Sequence, residues 1–347
     1  MSVSRTAIPS AISSDGAVSE SPCDLATARA GVLEVPGRFD LHFGGSLEGL
    51  RIAWRMVGPT SAPVVVALGG ISAGRYVTGT EPPGWWNELV GPGRALDTDC
   101  WQVLGLDFLG GSGGTTGPVA GGAQFPSISA YDQGGILQVL MQHLAIARLH
   151  AIVGASYGGM VALAFAETRP ASVERIVVIS AADRTHPMST AWRSVQRAMV
   201  RYAIRHDQGS EGLRLARALA MTTYRSPAEF AARFDGPPAL VEGRFQFPVE
   251  RYLLARGDAY VASHVPESFV CLSESIDLHR VEAAAICVPT TLIAVREDQI
   301  VPLTDMHSLR QRLGAPSELF ELSSQYGHDA FLKEADALRP VLARALL

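Results

Sequence analysis

The chain has 347 residues, 47% of them apolar and 18% charged, and a formal net charge of −5. This balance describes a globular protein long enough for one large α/β domain with an insertion, and it excludes a disordered chain. No basic cluster stands out and Lys333 is the only lysine, so nucleic acid is not an expected partner.

Residues 1–36 are expected to form a flexible tail, because their Ser- and Ala-rich stretch has no sustained period. Arg5 is followed by no apolar run, so no signal peptide is expected. Order is predicted from Gly37, with an antiparallel hairpin of residues 39–43 and 51–57 around Gly44-Gly45. Residues 63–68 form a continuous apolar run, the mark of a strand buried on both faces. Further runs of this kind are 101–106, 149–153, 176–180 and 290–295, whereas 318–322 alternates and fits a strand nearer the edge. Helices are predicted over 128–144, 157–168 and 329–346. Strands alternating with helices imply a mostly parallel sheet with helices on both faces.

The alternation breaks between Ser180 and Pro289, where helical patterns over 190–204, 212–220 and 227–234 appear with no clear strand. The expected division is therefore a core of residues 37–180 and 286–347, with a helical cap of residues 181–285 inserted over the sheet's carboxyl edge. The four cysteines, Cys23, Cys100, Cys271 and Cys287, form no CxxC pair and have no His at metal-ligand spacing. They read as buried free thiols of a cytoplasmic protein, not as disulfides or a metal site. The longest apolar stretches, 63–68 and 149–166, are too short or too interrupted to span a bilayer.

Chemistry is carried by Gly154-Ala155-Ser156-Tyr157-Gly158, which joins an apolar strand to a helix. G-x-S-x-G in that context is a nucleophile elbow: the turn is so tight that the flanking positions have no room for a Cβ, and the serine hydroxyl is thrust above the sheet. Gly is frequent here, so the motif alone is weak, and the strand–turn–helix setting gives it weight. A serine hydroxyl needs a base to take its proton and an acid to orient that base. In the expected order the acid follows the strand at 290–295, where Asp298 stands beside its rival Glu297. The base falls between the last strand and the last helix, and His328 is the one histidine of nine in that place. The others read as solvated or capping residues. Two backbone N–H groups must face the developing oxyanion. Tyr157, after the nucleophile, is one expected donor, and Gly70 or Ile71 in the loop after 63–68 is the other, although glycines there also suit a plain turn.

Together these residues resemble the homoserine O-acyltransferases of the α/β-hydrolase superfamily. The resemblance covers about residues 40–340 and rests on Gly84-Trp85-Trp86, Val90-Gly91-Pro92-Gly93 through Leu96-Asp97-Thr98-Asp99, and Gly114-Thr115-Thr116-Gly117-Pro118. It continues through the elbow with Gly159-Met160, Val195-Gln196-Arg197 and Gly327-His328-Asp329-Ala330-Phe331-Leu332. The chain departs from the family at Tyr157, where Met is frequent, and in the loop 71–75, which lacks the family's acidic and His residues.

The resemblance implies an α/β-hydrolase fold and acyl transfer from an acyl-CoA to homoserine through an acyl-serine, as in methionine biosynthesis. It implies CoA as a substrate with no metal or bound organic cofactor, and a homodimer. By similarity Arg197 binds the acceptor's carboxylate and Asp329 its ammonium; taken alone, Arg197 is a solvated helical arginine and Asp329 a helix N-terminal acid. Acetyl-specific members tend to have a neutral residue where Arg193 stands, one turn before Arg197 on the same face. Two arginines suggest two carboxylates, and succinyl-CoA supplies the second, unless Arg193 makes an ordinary surface ion pair. The alternatives are O-acetyl transfer, succinyl transfer to serine, ester hydrolysis, and a non-catalytic binding protein of this fold, which usually lacks part of the triad.

Overall fold

The computed structural model describes residues 28–122 and 124–347. Eight strands form one sheet: β1 (Ala28–Asp40), β2 (Ser46–Val57), β3 (Val64–Leu68), β4 (Gln102–Leu106), β5 (Leu149–Ala155), β6 (Val173–Ile179), β7 (Thr290–Val295) and β8 (Ser317–Leu322). Their spatial order is β1-β2-β4-β3-β5-β6-β7-β8. β1 and β2 run antiparallel, β2 meets β4 antiparallel, and every other pairing is parallel. The expected α/β architecture is present.

The apolar runs are explained by two cores, one on each face. Val64, Val66 and Leu68 enter one cluster with the helices α1 (Ala130–His143) and α2 (Tyr157–Thr168), through Ile136, Leu140, Val161 and Phe165. Val65 and Ala67, between them in sequence, enter the other with Trp86, Leu338 and Leu342. Side chains of successive strand residues point to opposite faces, so a strand covered on both sides has no polar position. β8 at the sheet edge is only half-buried, as its alternation predicts.

The chain order differs from expectation at the start. Residues 28–36, assigned to the tail, belong to β1, which pairs with β2 from Ala28↔Val57 onward. This edge strand is small-residue-rich and half-exposed, so it lacks an apolar signal. The rest of the predicted tail, residues 1–27, lies outside the described residues. The predicted last helix is split into Ala330–Lys333 and Ala335–Ala345. Cys100 and Cys287 are exposed free thiols, against the expectation of burial, and Cys271 is buried.

Between β6 and β7 lie five helices: α3 (Pro187–Ile204), α4 (Gly209–Tyr224), α5 (Pro227–Phe234), α6 (Pro248–Val261) and α7 (Pro266–Asp277). α3, α4, α6 and α7 share an apolar centre of Val200, Leu213, Ala216, Tyr260 and Phe269. The segment also holds a small antiparallel ribbon, Ala239–Val241 with Arg244–Gln246, where no strand was expected. It is short and largely exposed, so no burial pattern marks it. Among the described residues no helix is long and apolar enough to cross a membrane.

The β5-to-α2 turn depends on glycine at two places. A Cβ on Gly154 would stand 2.2 Å from the Gly158 carbonyl oxygen, and one on Gly158 would stand 2.3 Å from the Leu68 carbonyl oxygen. Both contacts are with backbone, which cannot swing aside. Gly158→Ala is expected to lower stability by about 3 kcal/mol and to abolish activity, checked by chemical denaturation beside an assay of the same preparation.

Candidate active site

Ser156 sits at the elbow with φ 54° and ψ −119°, a strained conformation for a residue with a Cβ. The surrounding backbone holds it: Ser156 N–H donates to the Ile179 carbonyl (2.8 Å), and Gly159 N–H donates to the Ser156 carbonyl (2.9 Å). Leu68 at the end of β3 is paired with Gly154 in β5, which sets the loop after β3 against the elbow. Gly158 N–H donates across to the Gly69 carbonyl (2.9 Å). A Cβ on Gly70 would lie 4.0 Å from the Ser156 Cβ. The N–H groups of Gly70, Ile71 and Tyr157 have no acceptor among the described residues.

On the far side of the sheet, Val295 at the end of β7 pairs with Leu322 at the end of β8, so the loops that follow them are neighbours. Asp298 comes from the first and His328 from the second. His328 Nδ1 lies 2.7 Å from Asp298 Oδ2, and His328 Nε2 lies 2.8 Å from Ser156 Oγ. The tautomer that fits has Nδ1–H donating to Asp298 and Nε2 accepting from the serine hydroxyl. Asp298 is fixed in turn by the N–H groups of Ile300 (2.8 Å) and Val301 (3.0 Å), both donating to Oδ1. Glu297, the rival acid, faces away and accepts from Ser323 Oγ (2.6 Å) and Ser324 N–H (2.7 Å).

Burial by itself lowers the pKa of His328, but the Asp298 carboxylate, by charge and hydrogen bond, outweighs it and raises the imidazole above its ordinary 6.5; Asp329 adds to the rise and Arg193 opposes it.

These groups open into a cavity of about 310 Å³. One wall carries Gly70, Ile71, Ser156 and His328, and the other carries Trp192, Arg193, Arg217 and Phe269 from the helices between β6 and β7. Such a volume is at the small end of ligand pockets.

The three predicted substrate-binding residues differ in their surroundings. Arg197 does not line the cavity. It is buried and donates to Asp277 Oδ2 (2.5 Å), the Ser273 carbonyl (2.9 Å) and Ser273 Oγ (3.1 Å). Breaking a buried ion pair costs about 3–5 kcal/mol, so Asp277 and Ser273 hold Arg197 firmly behind the cavity wall. Arg193 is no surface pair. It lines the cavity, its side chain is 12% exposed, and Nε donates to Asp277 Oδ1 (2.8 Å). Its Nη2 lies as near that oxygen (2.8 Å), so two guanidinium nitrogens face one carboxylate oxygen. Asp329 lines the cavity and accepts from Arg225 Nε (3.3 Å), while Arg225 also holds Glu229 (2.9 Å).

Sequence reasoning missed Arg217. It lines the cavity with its guanidinium 4.6 Å from the Tyr260 ring centroid and 5.1 Å from that of Tyr224, and it donates to the Tyr224 hydroxyl (3.4 Å). No carboxylate pairs with it among the described residues. A signal was available: Leu213, Ala216, Ala220 and Tyr224 mark the inward stripe of α4, and Arg217 falls on it. The structure also differs at His279, expected to be solvated or capping. It is buried against the Ala182 carbonyl (3.1 Å), and burial pushes it down to about 4.

The description of the family model that matches residues 63–335 is the α/β hydrolase fold. The homoserine O-succinyltransferase of Xanthomonas campestris pv. campestris is 44% identical over 300 residues, 86% of this chain and 79% of that protein. The homoserine O-acetyltransferase of Clavibacter michiganensis subsp. michiganensis is 31% identical over 354 residues, 89% of this chain and 90% of that protein. Among solved structures, the homoserine O-acetyltransferase from Bacillus anthracis superposes with a TM-score of 0.83 at 18% identity, covering 92% of this chain and 98% of that one.

A base at Nε2 works only as neutral imidazole. Any reaction that uses His328 in this way loses rate as the pH falls through a value above 6.5. Asp298→Asn removes the raising charge and is expected to move that acid limb of kcat/KM downward, while cutting the plateau rate by about 10³–10⁴; a pH–rate profile of both proteins checks it. On its sequence and its fold, the chain belongs to the homoserine O-acyltransferase family of the α/β hydrolases.

Proposed function

We propose that this chain transfers a succinyl group from succinyl-CoA to the hydroxyl of L-homoserine through an acyl-Ser156 intermediate. The observation that carries the donor assignment is Arg193 in the cavity wall, a guanidinium that shares the single carboxylate of Asp277 with Arg197 and whose charge a second carboxylate on the acyl chain would help to balance. The 44% identity to a protein named as a succinyltransferase supports the same choice.

His328 takes the proton of Ser156 as Oγ attacks the thioester carbonyl carbon. The N–H of Tyr157, with that of Gly70 or Ile71, receives the oxyanion charge. Collapse breaks the carbon–sulfur bond, and the proton on His328 leaves with the CoA thiolate. Homoserine then enters, with Arg217 as the partner of its carboxylate and Asp329 as the partner of its ammonium. His328 takes the hydroxyl proton, the oxygen attacks the acyl carbon, and the proton returns to Ser156 as the ester bond to the enzyme breaks. Asp298 orients the imidazole and balances its transient charge. CoA is a substrate, and no bound cofactor enters these steps. Helices α3 to α7 serve as a cap that keeps water from the acyl-enzyme.

O-Acetyl transfer has one observation in its favour: Asp277 already compensates part of the charge on Arg193, which suits an uncharged acyl group. We read the protein as a homodimer, supported by Met188, Val195 and Tyr202, which are all more than half exposed at seven-residue spacing along α3. A reducing cytoplasm suits its unpaired cysteines.

The test is thiol release and product mass with L-homoserine and either donor. Succinyl-CoA is expected to be preferred, Ser156→Ala to lose about 10⁴ or more of the rate, and Arg193→Asn to reduce the succinyl-to-acetyl preference about a hundredfold. Arg217→Lys is expected to raise KM for homoserine while leaving acyl-enzyme formation intact. Acetyl preference would overturn the donor assignment, and no transfer with either donor would overturn the transferase assignment.

A further inference from the structure

The residue after the nucleophile is a tyrosine whose side chain makes no contact with the cavity. Its ring is fully buried and meets Phe108 edge-on at 5.0 Å. The hydroxyl lies 2.6 Å from Ser275 Oγ on α7 and accepts from Gln133 Nε2 (3.2 Å) on α1. Gln133 is itself locked, since its amide pairs with both the N–H (2.9 Å) and the carbonyl (2.9 Å) of Leu109. Burial pushes the phenol well above its ordinary range, so the link stays neutral. Ser275 is fully buried as well. Two residues beyond it on the same helix is Asp277, which holds both Arg193 and Arg197, while Phe269, Ser273 and Ile276 of α7 line the cavity.

We infer that Tyr157 is a positioning residue: its hydroxyl ties the elbow's first helical N–H, through Ser275, to the helix that builds the acyl side of the cavity. The inference rests on the proposed use of that N–H as an oxyanion donor. An N–H at the first position of α2 has no intrahelical acceptor to hold it, so its direction depends on where the Tyr157 backbone is held. A hydrogen bond from the side chain to α7 holds that backbone at the far end from the strained serine. It also makes the distance between the oxyanion site and the acyl pocket a property of one rigid path. An apolar side chain at this position fills the space and cannot make that connection.

The test is steady-state kinetics of Tyr157→Phe, Ser275→Ala and the double variant, in the full chain with both donors, with thermal melts alongside. Tyr157→Phe keeps the ring against Phe108 and removes one oxygen. The expected result is a fall in kcat of about tenfold with KM for donor and acceptor within about twofold. Ser275→Ala should reproduce that fall, and the double variant should be no slower than the slower single one. Unchanged kcat in either single variant, a loss confined to KM, or losses that multiply in the double variant would overturn the inference. Should Tyr157→Phe fail to fold, Ser275→Ala decides it by the same kcat-against-KM criterion. Absence of transfer in the parent protein would instead remove the proposed function, so the two failures are told apart.

Discussion

In a parallel sheet, neighbouring strands deliver the loops that follow them to the same edge, and the register between the strands decides which loops meet. Here Leu68 stands opposite Gly154 and Val295 opposite Leu322. The first pairing puts Gly70 and Ile71 beside the Ser156 elbow; the second puts Asp298 beside His328. β6 and β7 close the gap between them, and Ser180 N–H donates to the Ile293 carbonyl (2.9 Å) at that junction. The Ser156–His328–Asp298 chain of hydrogen bonds is therefore assembled by backbone pairing in the two-faced core. Its side chains need only short reaches.

The opposite wall of the cavity is governed by charge. Arg193 and Arg217 line that wall, with Arg197 and Arg225 buried behind it, and the four divide by how fully they are compensated. Arg197 and Arg225 are buried and paired with protein carboxylates. Arg193 shares Asp277 with Arg197, so one carboxylate serves two cations. Arg217 rests on two aromatic rings, which soften its charge without neutralising it. A cavity with one partly and one wholly uncompensated guanidinium is suited to a ligand set carrying two carboxylates. A simple ester places no such demand on the wall.

Much of this was legible in the sequence, for identifiable reasons. The central strands and α2 were found because burial on both faces leaves a continuous apolar run. The meeting of Ser156, Asp298 and His328 is legible because the elbow is a local motif and the order of the loops follows from the topology. Asp298 and Glu297 were inseparable at that level, since adjacent loop residues differ only in which way they point. The structure separates them by the N–H groups of Ile300 and Val301 on one side and of Ser324 on the other. Arg193 and Arg197 were rightly placed on one helix face. Their shared partner is hidden from the sequence because Asp277 lies 84 and 80 positions away from them. Arg217 was passed over although its place on the apolar stripe of α4 was visible. β1 was cut short because an edge strand with half-exposed, small residues has no hydrophobic signature.

The central claim is that Ser156 carries the acyl group between donor and acceptor. The most direct measurement is to mix the protein with succinyl-CoA in the absence of homoserine, quench in acid, and locate the added mass by peptide mass spectrometry. The account predicts one succinyl group on the peptide containing Ser156, formed with stoichiometric thiol release and discharged when homoserine is added. An unmodified Ser156 under conditions where transfer to homoserine proceeds would contradict it.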